Sequence, residues 1–93
     1  MKCGRIRFTQ HAFTRMFERS ISPDEVLQLI ESGEVIEGYP DDQPYPSVLL
    51  YAHVKGKILH AVVASDSATG DCYVITVYVP DAAIWSDDFR SRR

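Results

Sequence analysis

The sequence predicts an α+β domain. A short N-terminal strand precedes two helices, which pack on one face of a four-stranded antiparallel sheet. Three observations predict it. Apolar residues recur at helical spacing between Gln10 and Ile30, and the period changes to that of extended chain after Gly33. The later apolar runs are joined by short turns, which favours an antiparallel meander. With 93 residues, the chain has room for one domain, residues 1–93.

Arg5 to Phe8 reads as a short opening strand. Thr9 is a good N-cap for a helix from about Gln10 to Arg19, with Ala12, Phe13, Met16 and Phe17 as its apolar face. Ser22-Pro23-Asp24-Glu25 carries a capping box with proline at the first helical position. Val26, Leu27 and Ile30 then face a core, and Gly33 can end the helix in the left-handed conformation. Glu34 to Tyr39 reads as a strand, and the proline-rich Pro40 to Pro46 as a loop. Three further strands are read at Val48 to Val54, Ile58 to Ala64 and Cys72 to Val79, with turns at Lys55-Gly56 and Asp66 to Gly70. Pro80 stops the last of them. The tail after it holds one short helical turn with Trp85 packed down.

The net charge of −3 argues against a general nucleic-acid coat, but the charge is unevenly spread. Five basic residues and one acid lie between Lys2 and Arg19, and seven acids and no base between Ser22 and Asp42. A positive patch on an acidic body is therefore expected. The chain shows no secretion signal and no apolar run of the ~20 residues that a membrane span needs. For Cys3 and Cys72, two free thiols in a cytoplasmic protein are the simpler reading. His11, His53 and His60 lack close ligand spacing, so no metal or other cofactor is expected.

His11, Arg15 and Arg19 stand four residues apart and share one flank of the first helix, beside its buried face. Arg15 can pair with Glu18, and a solvated flank needs no function. A functional reading is also open. An imidazole near two guanidinium groups stays neutral and can take a proton, and two arginine forks can hold a phosphate. If the Asp66–Gly70 turn is centred near Ala68, antiparallel pairing sets His60 opposite Thr76, and alternation puts His60, Thr76 and Tyr78 on one face. Leu59, Ala61, Val63, Ile75, Val77 and Val79 then take the face under the helices. A base, an acid and a phosphate clamp suffice for metal-free RNA cleavage by the ribose 2′-OH.

The stretch F-T-x-H-A-x-x-R-M-x-x-R-x-I-S (Phe8 to Ser22) resembles the opening of a bacterial family of unknown function, and T-V-Y-V-P-D (Thr76 to Asp81) followed by Trp85 resembles its ending. The family pattern usually has Gly where Ser20 stands. The element order is similar to that of RelE, MqsR and BrnT toxins. The resemblance implies a RelE-like endoribonuclease toxin that cuts messenger RNA in the cytoplasm, with an MqsA-like zinc-finger antitoxin as partner. It carries over His11, Arg15, Arg19, His60, Thr76 and Tyr78 as site residues, with Thr76 orienting an imidazole. RNA or the ribosome is then a further partner, and a homodimer is compatible with so small a chain. A non-catalytic binding module of the same fold, or an enzyme acting on a small phosphate ester, are the alternatives.

Overall fold

The computed structural model describes residues 1–93. The element order is β1 (Ile6–Phe8), α1 (Gln10–Glu18), α2 (Pro23–Ser32), β2 (Glu34–Tyr39), β3 (Ser47–Val54), β4 (Lys57–Ser65) and β5 (Cys72–Tyr78). The α+β class and both helices match expectation. The sheet does not: it has five strands in the order β1-β5-β4-β3-β2 and is mixed. The opening strand joins it by pairing parallel to β5, Ile6 to Cys72 and Phe8 to Val74. A parallel partner needs a long crossover, and here α1, α2 and three strands supply it.

Thr9 ends β1 and starts α1. Its N–H donates to Val74 O (3.1 Å), and its hydroxyl donates to Ile75 O (3.1 Å) while accepting from the N–H of Ala12. The capping box of α2 forms as read: Ser22 Oγ accepts from Glu25 N–H, and Glu25 accepts from Ser22 N–H (2.9 Å). The Glu25 carboxylate is buried and meets Lys57 Nζ at 3.1 Å. That bond ties the start of α2 to the start of β4. The Ser22 N–H, with Lys57 behind it, holds the Glu25 carboxyl below its usual range against the opposing effect of burial.

The core lies between the helices and one face of the sheet. Ala12 and Met16 of α1, and Val26, Leu29 and Ile30 of α2, meet Leu50, Ala52, Leu59, Ala61, Val63, Val74 and Val77. Phe13 and Phe17 depart from the expected apolar face. Phe13 is half exposed against Phe8, and Phe17 is 89% exposed. The cause is the seat of α1 at the margin of the sheet, where only the Ala12–Met16 edge reaches the core.

Two bulges reset the faces. Val62 pairs with Thr76 but Val63 with Val74, which leaves Ile75 as an extra residue in β5. The turn pairs Ser65 with Cys72, one step off a centre at Ala68, and the bulge adds a second step, so His60 stands opposite Tyr78, not Thr76. Ile75 leaves the helix-side face for the other one, where it lines a cavity, and Val79 is exposed. In β2, Ile36 is the extra residue, so Glu34 and Glu37 share a face that normal alternation would deny them.

Cys3 and Cys72 are joined in a disulfide, which corrects the reading of two free thiols. The parallel β1–β5 pairing brings the segment before Ile6 alongside Cys72, a closeness between residues 69 apart that no local pattern signals. Gly33 is also corrected. Its backbone is extended (φ −69°), and its lack of a side chain serves space instead, because a Cβ there would lie 2.2 Å from Leu29 O. The left-handed residue between the helices is Ser20 (φ 54°).

These two positions predict opposite outcomes. Ser20→Gly relieves left-handed strain and should stabilise the fold by about 0.5–1 kcal/mol. Gly33→Ala should destabilise it by about 1–3 kcal/mol, because the new methyl meets backbone. Urea denaturation of each variant checks the signs.

Candidate functional site

The sheet face away from the helices is covered by the chain after β5. Asp81 opens a turn there: its side chain accepts from Ala83 N–H, and its carbonyl from the N–H groups of Ile84 and Trp85. A bridge between Trp85 and Arg92 closes the tail on itself. Arg90 pairs with Glu34 (3.2 Å) and stacks on Tyr51, while Arg92 pairs with Glu37 (3.1 Å) and stacks on Trp85. The β2 bulge makes both carboxylates available to one segment. Trp85 is buried as expected, and what it covers is His60.

His60 is fully buried, with Trp85 edge-on at 4.5 Å between ring centres and Tyr78 at 5.3 Å. Its Nε2 lies 2.8 Å from the carbonyl of Phe89, and its Nδ1 lies 3.2 Å from Tyr78 Oη. A carbonyl only accepts, so Nε2 carries the proton. Nδ1 is then the acceptor, and the Tyr78 phenol donates to it. Burial pushes the His60 pKa below its ordinary value of 6.5, and burial pushes that of Tyr78 up. A neutral imidazole and a protonated phenol thus form one hydrogen-bonded pair.

Tyr78 also lines a cleft of ≈400 Å³. Arg15 and Arg19 of α1 line it from one side, Thr76 and Tyr78 of β5 form its floor, and Trp85 and Arg92 of the tail close the other side. The N-terminal arginines and the late-strand residues therefore converge. The path is open because β1 pairs with β5 only at Cys72–Val74, and beyond it no strand lies on that side of β5. Arg15 pairs with the exposed Glu18 at 3.2 Å, as anticipated. The lining carries three guanidinium groups and one carboxylate, Asp81, while Glu18 and Glu37 pair with Arg15 and Arg92.

Three of the anticipated site residues behave differently. His11 is exposed one turn along α1 from Arg15 and is not part of the lining. His60 is not part of the lining; it packs on Trp85 and is hydrogen-bonded to Tyr78, both of which are. Thr76 orients neither imidazole: it stands opposite Val62, and both nitrogens of His60 are engaged elsewhere. Asp81, Trp85 and Arg92 stand outside the six residues carried over by resemblance. The Pro-Asp step after β5 and the arginines of the tail were their available signals.

A family model described as a domain of unknown function, DUF4258, matches residues 8–79. The match takes in both helices, His11, Arg15, Arg19 and the whole of β2–β5, and stops before the tail. No curated protein and no solved structure matches. No helix is long and apolar enough to cross a membrane.

The buried imidazole makes stability depend on pH. The folded protein holds His60 neutral, whereas the unfolded chain titrates near its ordinary 6.5. The unfolded state therefore binds more protons below that point. This contribution is complete above about pH 6.5 and is lost as pH falls from there towards the folded value. Denaturant midpoints should drop between about pH 7 and 5 in the wild type. In His60→Gln, less stable overall, that slope should flatten.

Proposed function

The chain belongs to the DUF4258 family, and on that premise we propose that it is a metal-independent endoribonuclease toxin of the RelE, MqsR and BrnT kind. One observation carries the reading: Arg15, Arg19 and Arg92 line the same cleft as a phenol that is hydrogen-bonded to a buried neutral imidazole. The arginine forks suit a phosphodiester and the crowded anion it becomes during attack. The remaining need is a group that takes one proton and returns it.

The Tyr78–His60 pair meets that need. The ribose 2′-oxygen bonds to phosphorus as its proton passes to Tyr78 Oη, and the phenol's own proton passes to His60 Nδ1. The imidazolium so formed keeps its Nε2–H bond to Phe89 O and feels the nearby Glu37 carboxylate. The bond from phosphorus to the 5′-oxygen then breaks. The same relay, run backwards, protonates the leaving oxygen. The products are a 2′,3′-cyclic phosphate and a 5′-hydroxyl, and no water is consumed. Thr76 lines the cleft with a hydroxyl side chain, and His11 lies outside the lining.

The reading implies an antitoxin as partner, of the MqsA-like zinc-finger type. It also puts the chain in the cytoplasm, where thiol buffers disfavour disulfides. Cys72 is fully buried in the core, so the fold has apolar contacts there whichever redox state holds. A second reading, a non-catalytic binding module, is favoured by one observation. Phe13 and Phe17 are exposed on the flank of α1 away from the arginines, as a protein-binding surface would be.

Cleavage of a defined RNA by purified variants separates the readings. Arg15→Ala with Arg19→Ala should lower kcat/KM by about a hundredfold or more. Tyr78→Phe should lower kcat by about 10²–10⁴-fold. His11→Ala should cost no more than a few-fold. In the wild type the rate should fall with acid, along a limb below about pH 6.5 where His60 becomes protonated. Full activity in Tyr78→Phe would refute the relay. An inert wild type that leaves bacterial growth and messenger lengths normal on induction would favour the binding module.

A further inference from the structure

A second cavity of ≈400 Å³ opens on β5, next to the first. Thr9, Asp42, Gln43, Tyr45, Tyr73 and Ile75 line it. The two cavities meet on the strand: Ile75 lines one, and Thr76, the next residue, lines the other. The β5 bulge makes this adjacency, because consecutive residues of a regular strand would face opposite ways.

Its chemistry differs from that of the arginine cleft. Tyr45 and Tyr73 stack with ring centres 5.5 Å apart and planes 13° apart, a near-parallel aromatic pair in the lining. Asp42 is the one charged residue of the lining. A phosphate would be repelled there, whereas a flat, neutral heterocycle with N–H groups would be held. The Asp42 carboxylate is fixed in place: Oδ1 accepts from Gln43 N–H (3.0 Å) and Oδ2 from Ser47 Oγ (2.7 Å). Each oxygen keeps a further lone pair. A carboxylate offering two parallel acceptors matches two parallel N–H donors. Among the nucleobases that pattern belongs to guanine, whose N1–H and amino group lie side by side. The Gln43 side chain lines the same cavity and adds an amide for the remaining edge.

Resting on the nuclease reading above, we infer that this cavity is a nucleobase pocket that selects guanine beside the phosphate held in the arginine cleft. The tyrosine pair gives stacking, which every base accepts, and Asp42 gives the choice among bases. The chain is then a sequence-selective nuclease whose selectivity and chemistry occupy adjacent hollows of one strand.

The test uses short 2′-fluoro oligoribonucleotides, which lack the attacking hydroxyl, with one central guanine or adenine in a uridine background. Fluorescence anisotropy reads their binding to the full chain. The guanine oligomer should bind the wild type about tenfold or more tightly than the adenine one. Asp42→Asn, which still offers Ser47 an acceptor, should erase that preference while leaving the adenine oligomer's affinity within a few-fold. Tyr45→Leu should weaken both oligomers about tenfold. Arg15→Ala with Arg19→Ala should weaken both alike and keep the preference. Equal affinity of the wild type for the two oligomers, or a preference that survives Asp42→Asn, overturns the guanine pocket and leaves the nuclease reading standing. Failure of the wild type to bind either oligomer overturns both.

Discussion

The geometry of this molecule depends on Thr9. Three bonds meet at that residue: its N–H and its hydroxyl hold two successive carbonyls of β5, and its oxygen caps the helix that follows. The residue therefore ends a strand after three residues and turns the chain into α1 at a fixed point on β5. A longer β1 would have run along the whole side of β5 and filled the place where the arginine cleft opens. The stop at Thr9 leaves Thr76 and Tyr78 on an open margin, with the Arg15–Arg19 flank of α1 beside them. It also leaves the Phe13–Phe17 flank of the helix without sheet to cover.

The tail gives the other half of the site. The tail adds to the burial that pushes the His60 pKa below its ordinary value. Trp85 excludes water and the Phe89 carbonyl fixes the tautomer, so the ring presents a bare Nδ1 to Tyr78. Two ion pairs to β2 keep the tail down, each with a guanidinium also stacked on an aromatic ring. Such exposed pairs are individually weak, so the hold comes from several of them together with the buried indole. The family match ends at residue 79, so this cover lies beyond the matched segment.

Local rules served where local physics decides. The capping box at Ser22–Glu25, the change of period after Gly33 and the turns at Lys55-Gly56 and Asp66–Gly70 all stood in the sequence, and the elements formed within a residue or two of them. What escaped is non-local. A three-residue strand has too little pattern to announce a parallel partner some 66 residues away, and the disulfide follows from that same pairing. The turn, which pairs Ser65 with Cys72, and the bulge at Ile75 each shifted the register by one residue and together moved His60 from Thr76 to Tyr78, although alternation still put all three on the face away from the helices. Helical spacing could not tell Met16 from Phe17, since only the seat of α1 on the sheet decides which is buried. The Arg15–Arg19 flank was legible because it needed only helix geometry. The burial of His60 was not, because it depends on where a tail without regular structure comes to rest.

The central claim is that phosphorus is attacked by the RNA's own 2′-oxygen, with protein groups alone moving the proton. Mass spectrometry of the ends left on a defined RNA, incubated with the purified chain in excess EDTA, tests this directly. The account predicts fragments ending in a 2′,3′-cyclic phosphate, each followed by a fragment that begins with a 5′-hydroxyl. Fragments with 5′-phosphates, or RNA left whole until a divalent metal is added, would contradict it.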